Sequence, residues 1–304
     1  MSLLVRQRPT ELIRGAESPH FNRVRWSVMA EDQGTRYDRI AEGYARFWAP
    51  VIRPAAVRLL DDLDPLVPAG AAHAIDIGTG TGTLAFDALE RWPNVRVTGI
   101  DASSEMAAWA GAQSARRPSP EGADRFSTAV AYADRLPFDD ATFDMGMSSF
   151  VMQLVPDRSA ALREARRVLR RGAPFGYATW LRGNGEIDPP DRVLDEVLDE
   201  FGFDPPGPDS GSGDAVSVRA AADGLRRAGF REVAAREGVL AHRWTVRGYA
   251  DFVEHFSEES LFDDLVDRER RALRHRLVER LRRLRPHEMR LRLPVVYVNG
   301  RAGG

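Results

Sequence analysis

The stretch Ala74-Ile75-Asp76-Ile77-Gly78-Thr79-Gly80-Thr81-Gly82 decides how this chain is read. A short apolar run, His73 to Ile77, ends in three alternating glycines, and a helical pattern from Thr83 to Arg91 begins at once. An apolar run without polar alternation, closed by a glycine cluster, predicts a buried strand. Glycines at such a junction let the backbone turn tightly and approach a ligand, and the helix start beyond them offers free N–H groups. The next predicted strand, Val95 to Ile100, is followed by Asp101, 23 residues after Gly78. An acidic side chain at that distance is placed to bind a ribose diol.

Working outward, the alternation continues. Ser103 is a good N-cap for a helix reaching about Gln113. Strands are predicted at Phe126 to Ala131 and Thr142 to Ser148, then an amphipathic helix from Ser159 to Arg170 stopped by Gly172, then a fifth strand from Ala173 to Trp180. Upstream, helical patterns cover Tyr37 to Trp48 and Ala55 to Leu63. Downstream come helices at Asp191 to Phe201 and Val218 to Ala228, the latter ending at Gly229, and strands at Arg231 to Leu240 and Leu293 to Asn299. Strand and helix in alternation predict an α/β, mostly parallel seven-stranded sheet with helices on both faces. The expected organisation is an irregular N-terminal extension over 1–34 and a single domain over 35–304, with a helical insertion at about 243–292 before the last strand. Pro205 to Gly213 is rich in Pro, Gly and Asp and is read as poor in structure.

Composition removes whole classes of chemistry. The chain has 304 residues, 43% hydrophobic and 29% charged, enough apolar material for a packed core. Its net charge of −2 supplies no overall field toward nucleic acid or membrane. There is no cysteine, which excludes disulfides, thiol nucleophiles and Cys-ligated metal centres. There is no lysine either, so Schiff-base chemistry and the P-loop lysine are excluded and all 43 basic residues are arginine. The longest stretch without a charge, Met145 to Pro156, is 12 residues, against the roughly 20 a spanning helix needs. Only Leu3-Leu4-Val5 precedes Arg6, too little for a signal-peptide apolar core, so a cytoplasmic location is expected.

The glycine loop is compatible with two nucleotide cofactors. A dinucleotide site favours G-x-G-x-x-G, but the sixth position from Gly78 is Thr83; the loop is G-x-G-x-G with an acidic residue two before the first glycine. At this point Asp76-Ile77-Gly78-Thr79-Gly80-Thr81-Gly82 resembles motif I of class I S-adenosylmethionine-dependent methyltransferases. Ala131-Tyr132-Ala133-Asp134-Arg135-Leu136-Pro137-Phe138, Phe143-Asp144, Gln153-Leu154-Val155-Pro156-Asp157 and Leu162 to Gly172 follow the pattern of the ubiquinone/menaquinone-biosynthesis (type 11) branch.

The resemblance implies a Rossmann-like methyltransferase sandwich with S-adenosyl-L-methionine as cofactor. Gly78, Gly80 and Gly82 would shape the loop for the methionyl part, and Asp76 would help hold its ammonium. Asp101 would take the ribose hydroxyls, Met106 would pack on the adenine, and the backbone N–H of Ala133 would address an adenine nitrogen. Ser148 and Gln153 would line the floor near the sulfonium. Tyr37 and Tyr44 lie in a segment that folds over the cofactor in the family, where an aromatic face beside a sulfonium gains from cation–π attraction. Where the family usually carries an acidic residue before the alanine, this chain has Tyr132; either its hydroxyl replaces that contact or the adenine is held by packing and backbone alone.

The remaining signals are weaker. Tyr37, Ile40 and Tyr44 also fit an amphipathic helix packed on the sheet. Asp139-Asp140 stands in a turn sequence, the histidines show no ligand spacing, and no metal site is expected. Arg268 to Arg292 holds 11 arginines against three acids, with leucines at 273, 277, 281 and 284, and reads as a solvated amphipathic helix. Without interleaved aromatics it makes nucleic acid a disfavoured partner. The insertion carries Trp244, Tyr249, Phe252, Phe256 and Phe262, which predict a lid over the acceptor. No catalytic residue is assigned; His242, Glu254 and His255 are candidates for a general base if the acceptor must lose a proton. The expected activity is methyl transfer to a small organic acceptor. A non-catalytic S-adenosylmethionine-binding protein, an RNA methyltransferase and a nicotinamide-dependent oxidoreductase remain open.

Overall fold

The computed structural model describes residues 33–70, 72–116, 124–183, 186–203 and 214–304. The expectations for Pro205 to Gly213, and for the N-terminal extension up to residue 32, lie outside them. By compactness the chain forms two units, here called the sheet unit (described residues 33–183, 214–241 and 292–304) and the helical unit (186–203 and 242–291).

The sheet unit has seven strands: β1 (Ala72–Ile77), β2 (Val95–Asp101), β3 (Phe126–Val130), β4 (Met145–Ser149), β5 (Pro174–Trp180), β6 (Phe230–Arg243) and β7 (Arg290–Ala302), the outer ends of the last two belonging to the helical unit. The order across the sheet is β3-β2-β1-β4-β5-β7-β6. The first five pair in parallel, and β7 enters antiparallel against β5 with Tyr177 opposite Val298. This is the mostly parallel seven-stranded sheet that the alternation predicts. The strand order reverses at β1/β4, the switch point where open α/β sheets bind ligands.

The helices of this unit are α1 (Gln33–Gly43), α2 (Ala49–Leu63), α3 (Thr83–Arg91), α4 (Ser104–Ala115), α5 (Arg158–Val168) and α7 (Val218–Arg227). A π-helical turn, Tyr44–Trp48, joins α1 to α2. The helix predicted from Ala55 instead begins at Ala49. Pro50 falls in the first turn, where its missing N–H costs nothing, and Pro54 is absorbed one turn later. Leu59, Leu60 and Leu63 of α2 are fully buried, as are Ile75, Ile77, Phe143, Phe175 and Tyr177 of the sheet core. Apolar area removed from water at about 25 cal/mol per Å² drives this packing. β4 starts later than the Thr142 read from sequence, because Phe143 instead bridges to Leu169 and Asp144 N–H donates to His73 O.

The helical unit contains α6 (Pro189–Glu200), α8 (Val246–Phe252), α9 (Glu259–Asp264) and α10 (Asp267–Leu281). Val193, Leu194, Val197 and Leu198 of α6 share one core with Tyr249, Val253, Phe262, Leu273, Leu277 and Leu281. The leucine stripe of the arginine-rich stretch is thus the buried face of α10. The insertion's aromatics pack on one another: Trp244 stands edge-on to Tyr249 with ring centres 5.6 Å apart, and Phe252 lies 5.0 Å from Trp244 and 5.6 Å from Phe256. Among the described residues, no helix is long and apolar enough to cross a membrane.

Candidate functional site

A cavity of about 920 Å³ opens at the carboxyl ends of β1, β2 and β4. Tyr37, Tyr44, Gly78, Gly80, Asp101, Met106, Tyr132, Ala133 and Gln153 all line it. Three expected residues, Asp76, Gly82 and Ser148, are not part of the lining and support it from behind.

The glycine loop is shaped by necessity. Gly78, Gly80 and Gly82 have φ of 72°, 54° and 85°, the left-handed region costly to side-chain-bearing residues. A Cβ on Gly78 would fall 2.1 Å from a methyl carbon of Val151, and one on Gly82 would fall 2.4 Å from the Phe86 ring. The loop is tied to β2: Gly78 N–H and Thr79 N–H both donate to Ile100 O, each at 2.8 Å.

Asp101 closes β2 with its carboxylate held at both ends. Gly80 N–H donates to Oδ2 at 2.8 Å and Ser103 N–H donates to Oδ1 at 2.9 Å. Each oxygen keeps a further lone pair for a ligand hydroxyl. Burial pushes the Asp101 carboxyl up, and the two backbone bonds oppose it. Asp76, one strand over, is 1% exposed. Its Oδ2 accepts from Thr79 Oγ1 at 2.9 Å, whereas Oδ1 is buried with no hydrogen-bond partner. Burial raises its pKa to about 7, with Asp101 adding to the shift. A buried carboxylate oxygen without a donor is costly unless a cation or donor arrives.

Tyr37 and Tyr44 meet edge to face, ring centres 5.9 Å apart, and burial raises both hydroxyl pKa values. Met106 is buried in the first turn of α4, its N–H donating to Ser103 Oγ at 3.0 Å as the N-cap reading requires. Tyr132, at 50% exposure, and Ala133 follow β3. The loop that carries them is braced from α5: Leu136 N–H donates to Glu164 Oε2 at 2.9 Å, while Arg167 donates to Leu136 O, Phe138 O and Asp140. Asp140 is therefore an arginine partner in a turn.

The floor is less simple than the sequence suggests. Ser148 is fully buried and donates from Oγ to Ile77 O at 2.7 Å, tying β4 to β1. Gln153 donates from Nε2 to Phe150 O at 2.7 Å and accepts from Thr179 Oγ1 at 2.6 Å. Phe150, which sequence reasoning missed, has φ 58°, a strained conformation for an aromatic residue. It is held by its N–H to Ala178 O at 2.8 Å, by the Gln153 bond and by stacking on Trp180, ring centres 4.0 Å apart. The only hint in sequence is its place just beyond a strand.

The cavity also continues past the glycine loop. Pro156, Arg158, Leu162, Tyr177, Asp214, Ala215, Ala221 and Arg227 extend the lining along α5, β5 and α7. Tyr177 donates to Ala221 O at 3.1 Å, and burial pushes its hydroxyl up to about 12. The three general-base candidates belong to the helical unit. Glu254 accepts from Arg274, His255 Nε2 lies 3.9 Å from Glu254 Oε2, and His242 packs edge-on against Trp244 at 4.3 Å. Burial lowers the His242 pKa.

Residues 75–175 match the model of the methyltransferase domain family. The ubiquinone/menaquinone biosynthesis C-methyltransferase UbiE of Paracoccus denitrificans is 34% identical over 149 residues, covering 48% of this chain and 54% of that one. The malonyl-[acyl-carrier protein] O-methyltransferase of Geobacter sulfurreducens is 35% identical over 114 residues, covering 38% and 40%. The chain thus spans about half the length of these curated relatives. Among solved structures, the YcgJ protein of Bacillus subtilis superposes with a TM-score of 0.54 at 16% identity, covering 81% of this chain and 98% of that one, a likeness of fold. Over residues 75–175 the chain therefore carries a methyltransferase domain, similar to those of ubiquinone/menaquinone-biosynthesis C-methyltransferases.

Proposed function

We propose that the chain transfers a methyl group from S-adenosylmethionine to a small organic acceptor. The observation that carries this reading is the convergence, on one cavity at the switch point of the sheet, of the glycine loop, the backbone-held Asp101 carboxylate and the Tyr37–Tyr44 pair. The residues fit the cofactor. Asp76 lies behind the lining, where its buried Oδ1, without a hydrogen-bond partner, would favour a positive charge seated against the glycine loop, and the remaining lone pairs of Asp101 suit a ribose diol. Gly78 and Gly80 would bring backbone against the methionyl part, Met106 and Ala133 would hold the base, and the tyrosine faces would suit a sulfonium. Tyr132 would take the place of an acidic adenine contact. Bound there, the cofactor would supply an electrophilic methyl, so the protein has mainly to align the acceptor and exclude water.

The extension of the cavity along α5, β5 and α7 offers the acceptor its place. The insertion at about 243–292 is proposed to serve acceptor capture as a lid. Cutting out that insertion alone would strip α6 of its packing partners, so point variants in it are the better test. The deciding experiment has two arms. Calorimetric titration with S-adenosylmethionine, S-adenosylhomocysteine and NADH should show binding of the first two only. Transfer of labelled methyl into a cell extract, fractionated into RNA, protein, lipid and small molecules, should label the small-molecule fraction. NADH binding, or label confined to RNA, would overturn the reading.

A further inference from the structure

Asp38 lies on α1, one residue after Tyr37, and no part of the methyltransferase reading uses it. Its Oδ1 collects donors from the amino end of α4: Ser103 Oγ at 2.6 Å, Glu105 N–H at 3.0 Å and Ser104 Oγ at 3.4 Å. The partners are 65–67 residues away in sequence, so these bonds fasten one helix to another. A carboxylate also gains from the positive end of the α4 dipole.

Capping alone does not explain this. Ser103 already caps α4, accepting from Met106 N–H at 3.0 Å, and Ala107 N–H donates to Ser103 O at 3.1 Å. What Asp38 adds is a hold on α1. That helix leads into Tyr44, whose ring lies 3.9 Å from where a Cβ on Gly80 would stand, and it presents Tyr37 to the same cavity. Ser103 is also the residue whose N–H donates to Asp101 Oδ1. One serine therefore joins the helix that bears Tyr37 and leads into Tyr44 to the carboxylate assigned to the ribose.

We propose that Asp38 is a positioning residue, the latch that holds α1, with Tyr37 on it and Tyr44 just beyond its end, over the cofactor site, and that cofactor exchange proceeds through release of its bonds to the amino end of α4. The proposal rests on the cofactor reading above. The test compares the full-length chain with Asp38→Ala and Asp38→Asn. Hydrogen exchange is followed in α1 and α2 without ligand, and S-adenosylmethionine affinity and dissociation rate are measured by titration and stopped flow.

Loss of charge-assisted bonds in Asp38→Ala should speed α1 exchange and weaken the cofactor about tenfold, mostly through faster dissociation, with α2 unchanged. Asp38→Asn keeps a carbonyl acceptor at the same place and should recover most of both effects. Unchanged α1 exchange in Asp38→Ala overturns the latch. So does unchanged cofactor affinity despite a loosened α1, or an Asn variant that fails to rescue while the melting temperature falls as in Ala. A wild-type chain that binds no S-adenosylmethionine overturns the cofactor reading separately, and α1 exchange still decides whether Asp38 holds that helix.

Discussion

The sheet unit and the helical unit use polar groups in opposite ways. Around the cavity, polar side chains are buried and bonded to named backbone atoms: Asp101 to Gly80 and Ser103, Ser148 to Ile77, Gln153 to Phe150. In the helical unit the core is apolar, and many charged groups form ion pairs on its surface, such as Arg276 with Glu200 and Arg280 with Glu196. A buried bond to backbone fixes one atom in one place, and losing it leaves an unpaired group behind. An exposed ion pair is replaceable by water and salt. Function should therefore be sensitive to single atoms in the first unit, and stability to apolar volume in the second.

The largest expected effect sharpens the second half of that contrast. Leu277 is fully buried in the core of the helical unit. Leu277→Ala should cost about 2–5 kcal/mol, through lost transfer free energy and the cavity left behind. Denaturant unfolding measures this, with S-adenosylmethionine affinity expected within twofold of wild type. An affinity drop with intact folding would break the separation of roles.

Asp101→Ala probes the first half. It removes charge-assisted bonds worth about 1.5–3 kcal/mol, so cofactor affinity should fall roughly tenfold to a hundredfold by titration. It also strips Gly80 N–H and Ser103 N–H of their acceptor, so the melting temperature should fall with it. Unchanged affinity would sink the ribose assignment.

The same contrast explains what was legible in sequence. Gly78 and Gly82 could be read because positive φ and approaches of 2.1 Å and 2.4 Å leave no room for a side chain, Gly80 because its φ of 54° favours glycine, and chemistry fixes an acid at 101. The mostly parallel sheet followed from the alternation of strand and helix. Asp38 could not be read, because nothing local links it to partners more than 60 residues away. Phe150 could not either, since its strained φ is imposed by Trp180 and Gln153 through the fold. Nor could the sharing of one core between α6 and the insertion, because leucine faces of helices carry no address. The earlier start of α2, at Ala49 rather than Ala55, was not legible either, because Val51 and Ile52 are buried there only through the fold.

Asp76 supplies a pH test. Its carboxyl titrates at about 7 in the fold against 3.8 as the ordinary value. The folded chain therefore keeps a proton that the unfolded chain has lost, so the stability Asp76 contributes without ligand should fall as pH rises from about 4 to 7 and level off above, by at most about 1.4 kcal/mol per pH unit. Asp101, also raised by burial, adds in the same sense, while His73 and His242, lowered by burial, and the carboxyls lowered by hydrogen bonds to arginines, serines or backbone, such as Asp38, Glu164 and Glu200, act in the opposite one. Comparison with Asp76→Asn isolates the residue, and that variant should show the shallower slope in melting temperature against pH. A bound ammonium favours the charged carboxylate, so cofactor affinity should rise over the same pH range in the wild type and not in the Asn variant. Identical pH profiles would remove Asp76 from the site.

The smallest expected effect lies on the arginine-rich surface. Between Arg270 and Arg285, six arginines have acidic partners: Arg270 with Asp263, Arg274 with Asp251 and Glu254, Arg276 with Glu200 and Glu279, Arg280 with Glu196 and Glu200, Arg283 with Glu279, and Arg285 with Glu288. Two of the acids, Glu196 and Glu200, come from α6, so the excess of positive charge counted along the stretch is partly cancelled from outside it. A surface whose arginines are already engaged presents a weak field to a polyanion. Arg280→Gln removes two of these pairs from a side chain 23% exposed. Its cost should stay within about 1 kcal/mol and shrink further in 0.5 M salt, because exposed pairs are screened and costly in side-chain entropy. Heparin retention of the wild type should be weak at physiological salt and change little in the variant. Strong retention that collapses in Arg280→Gln would show instead that this face engages an anionic polymer, and would bring the RNA reading back for the helical unit.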